Sequence, residues 1–265
     1  SFGDYSNHPH SEYVIQKLVS QYNFNEMEVK SILSAAETDN KILESMTNAS
    51  EKTKTWNKYR QSFLSSFRIK KGKYFLEEYS EVFDQVEKIY GVPRFIITAI
   101  LGVETNYGGY TGKANVLNAL STLAFEHPRR SDFFTSELIE YIVLCREKSW
   151  QPNERLGSYA GAMGMSQFMP SNYRSLAIDG DSDGKVDLFE PIDAIYSIAN
   201  YLVHHGWQPN EPITSRASVS NNFDSSIIGR GLKPNRRITE IESAGIYPKG
   251  KISKDIMARV IRFND

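Results

Sequence analysis

The stretch Ile97-Thr-Ala-Ile-Leu-Gly-Val-Glu-Thr-Asn-Tyr-Gly-Gly109 places one carboxylate, Glu104, at the end of a strongly apolar helical run. Pro93 stands where the first helical turn is expected to begin, since a residue without an N–H costs little there. Ile97, Ile100, Leu101 and Glu104 follow at i, i+3, i+4 and i+7, so the acid is expected on the same side as the apolar face. Gly108 and Gly109 close the pattern. A carboxyl in such a setting is poorly solvated, which raises its pKa and suits it to donate a proton near neutral pH. The competing reading is a surface residue at a fraying helix end.

Helices are expected on both sides of this stretch. Ser11 to Tyr22 carries Val14, Ile15, Leu18 and Val19 on one face. Asn25 and Glu28 form a capping pair before Met27, Val29, Ile32 and Leu33, and Asp39 opens another short amphipathic run. Tyr74 to Tyr90 reads as one helix, stopped by Gly91. Beyond the central stretch, helices are expected over Asn115 to Glu126, Ser131 to Lys148 and Pro191 to His205. Between the last two lies a run of small residues, Gly157-Ser-Tyr-Ala-Gly-Ala-Met-Gly-Met-Ser-Gln-Phe-Met-Pro170, which implies close backbone approach to another element or a ligand. After Trp207, prolines, glycines and alternating stretches such as Arg237-Ile-Thr-Glu-Ile suggest loops with a few short strands. The expected organisation is a helical part over 1–90, a core over 91–208, and a small mixed loop and strand segment over 209–265.

Composition narrows the class. Of the 265 residues 40% are hydrophobic and the formal net charge is -1, as in a globular protein without the basic surplus of a nucleic-acid binder. No apolar run approaches about 20 residues, so no membrane-spanning helix is expected. The chain starts at Ser1 without a signal peptide, the look of a processed or trimmed fragment. The single cysteine, Cys145, sits in an apolar helical pattern and reads as a buried, inert thiol.

Asp179-Gly-Asp-Ser-Asp-Gly-Lys-Val-Asp-Leu-Phe-Glu190 fits the EF-hand calcium loop at each diagnostic position. Asp179, Asp181 and Asp183 occupy positions one, three and five, with Gly184 at the sharp turn. Lys185 offers its backbone carbonyl at seven, Asp187 stands at nine, and Glu190 supplies two oxygens at twelve. So many carboxylates in twelve residues repel one another unless a hard cation joins them. Sensor loops come in pairs, and here one loop is followed at once by Pro191. The calcium ion is therefore expected to be structural, clipping 157–170 against the helix that starts near Pro191. The five histidines make no zinc set, Gly157-Ser158 does not match a serine-hydrolase elbow, and no glycine-rich phosphate loop is present.

Taken together, Gly102-Val-Glu104-Thr-Asn-Tyr-Gly, His127-Pro-Arg-Arg130, Gly157-Ser-Tyr-Ala-Gly-Ala-Met-Gly, Gln167-Phe-Met-Pro170, the acidic loop, Asp193-Ala-Ile, Ala199-Asn-Tyr201 and His205-Gly-Trp207 resemble, in order, the lytic transglycosylases of the membrane-bound lytic transglycosylase B type. The resemblance runs from about Tyr90 to Trp207. It implies a mainly α protein: a lysozyme-like helical catalytic core with an N-terminal helical domain, the calcium loop and a small irregular or β C-terminal part. It also implies non-hydrolytic cleavage between N-acetylmuramic acid and N-acetylglucosamine in peptidoglycan, leaving a 1,6-anhydromuramyl end. The family's acid matches Glu104; its cleft residues match Ser158, Gln167, Arg129, Arg130 and Tyr201, and an aromatic position matches Tyr59. Implied partners are peptidoglycan glycan strands and cell-wall synthesis or remodelling proteins, with no nucleic acid. The implied location is the bacterial periplasm, and the resemblance allows a full-length form anchored by lipid to the outer membrane. Two features depart from the family. A further cleft-lining segment has no counterpart before Arg262-Phe-Asn-Asp265, so either 209–265 is truncated or that wall is built differently, and the lipid-bearing N-terminal cysteine is absent. A hydrolytic muramidase on the same scaffold, an inactive glycan-binding module, and a surface-charge role for the arginine pair are the competing readings.

Overall fold

The computed structural model describes residues 4–47, 54–229 and 231–263. Wherever apolar residues recur at helical spacing the chain is helical, giving twelve α-helices among the described residues. They are α1 (Ser11–Tyr22), α2 (Glu26–Ser34), α3 (Asn40–Thr47), α4 (Trp56–Gln61), α5 (Ser66–Glu78), α6 (Ser80–Tyr90), α7 (Arg94–Thr105), α8 (Val116–Glu126), α9 (Ser131–Lys148), α10 (Pro170–Leu176), α11 (Pro191–His204) and α12 (Ile238–Ser243). Strands are two or three residues long: β1 (Ala114–Asn115), β2 (Leu156–Gly157), β3 (Ala217–Val219), β4 (Arg236–Arg237), β5 (Ile246–Pro248) and β6 (Met257–Ala258). They form three antiparallel pairs, β1 with β2, β3 with β5 and β4 with β6. The fold is mainly α, as the sequence indicates.

Several boundaries are set by side-chain caps. The Asn25 carboxamide accepts the Met27 N–H at 2.9 Å, and the Asn115 carboxamide accepts the Asn118 N–H at 2.9 Å. Pro93 turns out to be the cap itself, extended at ψ 137, with the helix beginning one residue later at Arg94. The expected helix over Tyr74–Tyr90 is interrupted. Tyr79 leaves helical geometry at φ −104 and ψ 23, its ring packed on Phe75 at 4.7 Å, and α5 reaches back to Ser66, capped by the Ser65 hydroxyl.

The chain divides into two compact units, Ser1–Thr53 with Gln61–Trp207, and Lys54–Arg60 with Gln208–Asp265. In the first, residues 4–47 share a single hydrophobic core with the later helices rather than building their own. Val14 and Leu18 of α1, Ile97 and Leu101 of α7, Leu120 and Leu123 of α8, Tyr141 and Cys145 of α9, and Ile195 and Ile198 of α11 are all buried in it. The boundary expected at residue 90 therefore divides one packed body.

The second unit has a small core of Ile227, Ile238, Ile241 and Ile246. Here Arg237-Ile-Thr-Glu-Ile, expected to be a strand, is a strand only through Arg237. The Glu240 carboxylate accepts the Arg237 N–H at 2.8 Å, which starts α12, and Ile238 and Ile241 bury one helical face. Alternating residues in so short a run satisfy either period. No helix of the described residues is long and apolar enough to cross a membrane.

Candidate active site

Glu104 is the penultimate residue of α7, and it is exposed. The expectation of a poorly solvated carboxyl on the apolar face fails for a specific reason. The buried stripe of α7 is Ile97, Thr98, Leu101, Gly102 and Thr105, which uses small residues and so turns away from Glu104, with Ile100 half-buried at its edge. Gly102 is buried because the Tyr107 hydroxyl lies against it; a Cβ there would stand 2.6 Å from that oxygen. The helix stops by two successive left-handed residues, Asn106 at φ 51 and Tyr107 at φ 58. Two cations of α5 cover this end. Arg68 Nη1 donates to the Gly102 carbonyl at 2.8 Å and Lys71 Nζ to the Asn106 carbonyl at 2.7 Å, the sign that a helix C-terminus favours.

From this end the chain runs onto the small-residue loop. Gly112, at φ +102, lies so close to Gly157 that a Cβ would overlap the Gly157 carbonyl oxygen. Only glycine fits there. Gln167 spans the same gap: its Nε2 donates to the Thr111 carbonyl at 3.1 Å and to the Gly164 carbonyl at 2.9 Å. Ser158 Oγ accepts the N–H groups of Ala160 at 3.2 Å and Ala162 at 3.1 Å. Phe168 packs against Tyr201 with ring centroids 5.3 Å apart, and Tyr201 stacks on His205 at 4.1 Å. The end of α7 after Glu104, Ser158, Gln167 and Tyr201 thus belong to one continuous set of contacts.

These hydrogen bonds decide what each polar group has left to offer. Both amide protons of Gln167 are engaged, which leaves its Oε1 as an acceptor. Two N–H groups fill the lone pairs of Ser158, which leaves its hydroxyl proton as a donor. A donor and an acceptor are the two groups that a secondary amide needs.

Arg129 and Arg130 are exposed at the start of α9. Their backbone N–H groups donate to His127 Nδ1, and the Arg130 guanidinium covers Phe133 and Phe134 at 4.7 and 5.1 Å. Among the described residues these contacts stay at the helix start rather than reaching the loop at 104–112. Tyr59 belongs to the other unit, where it packs beside Trp56 at 6.3 Å.

In the acidic loop Gly184 adopts φ +87, the turn its position requires. Asp179 accepts the N–H groups of Asp183 and Gly184, Asp181 that of Asp183, Asp183 that of Lys185, and Asp187 that of Phe189. Glu190 is exposed at the N-cap of α11. The sequence reading missed Asp193, which is 3% exposed. One of its oxygens accepts the Gly180 N–H and the other the Asp187 N–H, both at 2.7 Å, tying the two ends of the loop together. In the sequence it stands only at the head of the Asp193-Ala-Ile block, as an acid in the first turn of a helix with no role assigned. Carboxylate oxygens of Asp179, Asp181 and Asp193 lie within 4.8 Å of one another, a separation that oxygens sharing one calcium ion adopt. Burial, and then the neighbouring Asp181 and Asp179, push the Asp193 carboxyl above the usual carboxylate range. Clustered negative charge and an all-oxygen donor set fit a hard divalent cation.

Cys145 plays no part here. It is buried, and burial pushes its thiol up to about 11, which keeps it protonated and inert.

Comparison with known proteins extends the resemblance on both sides of 90–207. The profile of the transglycosylase SLT domain matches residues 7–262. The membrane-bound lytic murein transglycosylase B of Escherichia coli K12 is 33% identical over 271 residues, covering 99% of this chain and 74% of that protein. The Escherichia coli lytic transglycosylase Slt35, solved in complex with calcium, superposes with a TM-score of 0.86 at 33% identity, covering 99% of this chain and 82% of that one. SltB3 from Pseudomonas aeruginosa, solved in complex with NAG-anhNAM-pentapeptide, gives a TM-score of 0.75 at 25% identity, covering 95% of this chain and 68% of that one.

Proposed function

The chain belongs to the transglycosylase SLT domain family of lytic transglycosylases, and from that membership we propose that it cleaves the β-1,4 bond between N-acetylmuramic acid and N-acetylglucosamine without water, forming 1,6-anhydromuramyl ends. Glu104 is the acid and then the base. It protonates the glycosidic oxygen as the C1–O bond breaks, while the muramyl acetamido carbonyl stabilises the positive charge at C1. The resulting Glu104 carboxylate takes the proton from the C6 hydroxyl, whose oxygen bonds to C1 and closes the anhydro ring. An exposed carboxylate reaches the dry setting that proton donation favours when the glycan covers it.

The observation that carries this reading is the donor left on Ser158 and the acceptor left on Gln167, whose Nε2 is bonded to Thr111 in the loop that leaves Glu104. A hydroxyl proton for a carbonyl oxygen and a carboxamide oxygen for an N–H hold an acetamido group in one orientation. Tyr201 offers an aromatic ring to a sugar, and Arg129 and Arg130 pair with stem-peptide carboxylates. SltB3 bound to an anhydro-muramyl peptide supports the product assignment. The periplasm, where peptidoglycan lies, is the corresponding location, with cell-wall synthesis or remodelling proteins as partners. Digestion of purified peptidoglycan tests the reading: soluble anhydro-ended muropeptides are expected, and no soluble release by the folded chain would overturn it.

The acidic loop binds one structural calcium ion through Asp179, Asp181, Asp183, the Lys185 carbonyl, Asp187 and Glu190, with Asp193 bracing it. Calcium-bound Slt35 supports this assignment. Calcium at about a hundred times its dissociation constant is expected to raise Tm by about 5–10 °C relative to chelator. Superimposable melting curves after confirmed metal removal would contradict the assignment.

A further inference from the structure

We propose that the Thr105 hydroxyl is a positioning group for Glu104 and the point through which the acidic loop acts on the catalytic residue; this rests on the reading of Glu104 as the acid. Thr105 is 2% exposed, and its Oγ1 donates to the Met165 carbonyl at 2.8 Å while accepting the Gly108 N–H at 3.0 Å. The last residue of α7 is thereby fixed to the small-residue loop on one side and to its own C-terminal turn on the other. Glu104 is its immediate neighbour, so where this backbone is held sets where the Glu104 side chain starts.

The connection continues into the acidic loop. Met165 N–H donates to the Leu188 carbonyl at 2.7 Å, and Leu188 lies between Asp187 and Glu190. Leu188 is fully buried and its own N–H donates to the Tyr173 hydroxyl at 3.0 Å, so this carbonyl has little freedom to wander. Gly164, one residue before Met165, packs against Leu188 so closely that a Cβ would lie 2.6 Å from the Leu188 Cβ. Two consecutive hydrogen bonds, Thr105 to Met165 and Met165 to Leu188, therefore join the residue after the acid to the segment that supplies ligands nine and twelve of the loop. Ordering that segment fixes Leu188, Leu188 fixes Met165, and Met165 fixes the end of α7. No titration is involved; the coupling is a matter of where a backbone is held.

The test compares Thr105→Val, which keeps the shape and removes the hydroxyl, with Thr105→Ser, which keeps the hydroxyl. In Thr105→Val, kcat on soluble glycan strands is expected to fall about ten- to a hundredfold with KM within about twofold, because a displaced catalytic group costs turnover rather than binding. Thr105→Ser is expected to restore most of the rate. Terbium or calcium affinity, read by luminescence or calorimetry, is expected to stay at the wild-type value in both, since the loop is untouched. Calcium removal is expected to lower kcat of the wild type but to add little to the loss in Thr105→Val, the non-additivity of two changes on one connection. If Thr105→Val does not fold, Thr105→Ala serves the same comparison. A hydroxyl-free variant with wild-type kcat, a serine variant that fails to rescue, or fully additive losses would each overturn the proposal. Glu104→Gln run in parallel separates the two levels: wild-type activity there would remove the reading of Glu104 itself, whereas an inactive Glu104→Gln beside an unaffected Thr105→Val would remove only this coupling.

Discussion

Glu104→Gln is expected to reduce release of anhydro-muropeptides by about a thousandfold or more, with folding and glycan binding retained. Glutamine preserves shape and hydrogen bonding but neither gives a proton to the leaving oxygen nor takes one from the C6 hydroxyl. General acid–base assistance contributes about 10²–10⁴-fold, and in the proposed reaction one side chain serves both halves. The exposed position of Glu104 makes the substitution benign for the core, because the buried stripe of α7 runs through Ile97, Leu101 and Thr105 instead. An unchanged melting curve is therefore expected alongside the lost activity. Wild-type release by a folded Glu104→Gln chain would contradict the assignment of the acid.

A second large effect is expected from the substrate side. Glycan strands de-N-acetylated at the muramyl residue are expected to be cleaved about 10²–10³-fold more slowly, the scale on which a lost charge-stabilising group at a reacting centre is felt. Two causes combine. The acetamido carbonyl no longer supports the cation at C1, and the hydroxyl of Ser158 and Oε1 of Gln167 face a group they do not match. A hydrolase with a second carboxylate would tolerate the loss better, since its nucleophile or base comes from the protein. The measurement is initial rate on matched acetylated and de-N-acetylated strands; equal rates would rule out substrate assistance.

The same side-chain chemistry explains which parts of this molecule can be read from its sequence. Helices with long apolar periodicity and side-chain caps are legible: α1 and α9 run over the expected residues, and Asn25 and Asn115 mark α2 and α8. The spacing of the acidic loop, with Gly184 at its turn, is equally plain. What the sequence hides is whatever depends on small residues and distant contacts. The inward face of α7 is built on Thr98, Gly102 and Thr105, so large apolar residues alone rotate Glu104 towards the core. Asp193 braces the loop from outside its twelve residues, and its role exists only where α11 meets Gly180 and Asp187. Thr105 looks like an ordinary helical threonine until Met165, 60 residues away, arrives to accept its proton. In the second unit, Ile238 and Ile241 satisfy a strand and a helix alike, and the Glu240 carboxylate on the Arg237 N–H decides between them.

Cleavage without water leaves its mark in the mass of the new glycan end. Purified peptidoglycan is digested with the folded chain, and the soluble muropeptides are weighed before and after borohydride reduction. Ends lighter by one water than hydrolysis would leave are expected, unchanged in mass by borohydride because an anhydro ring has no reducing carbon. Ends that carry the extra water and take up two hydrogens on reduction, with no anhydro species beside them, would show a muramidase and contradict cleavage without water.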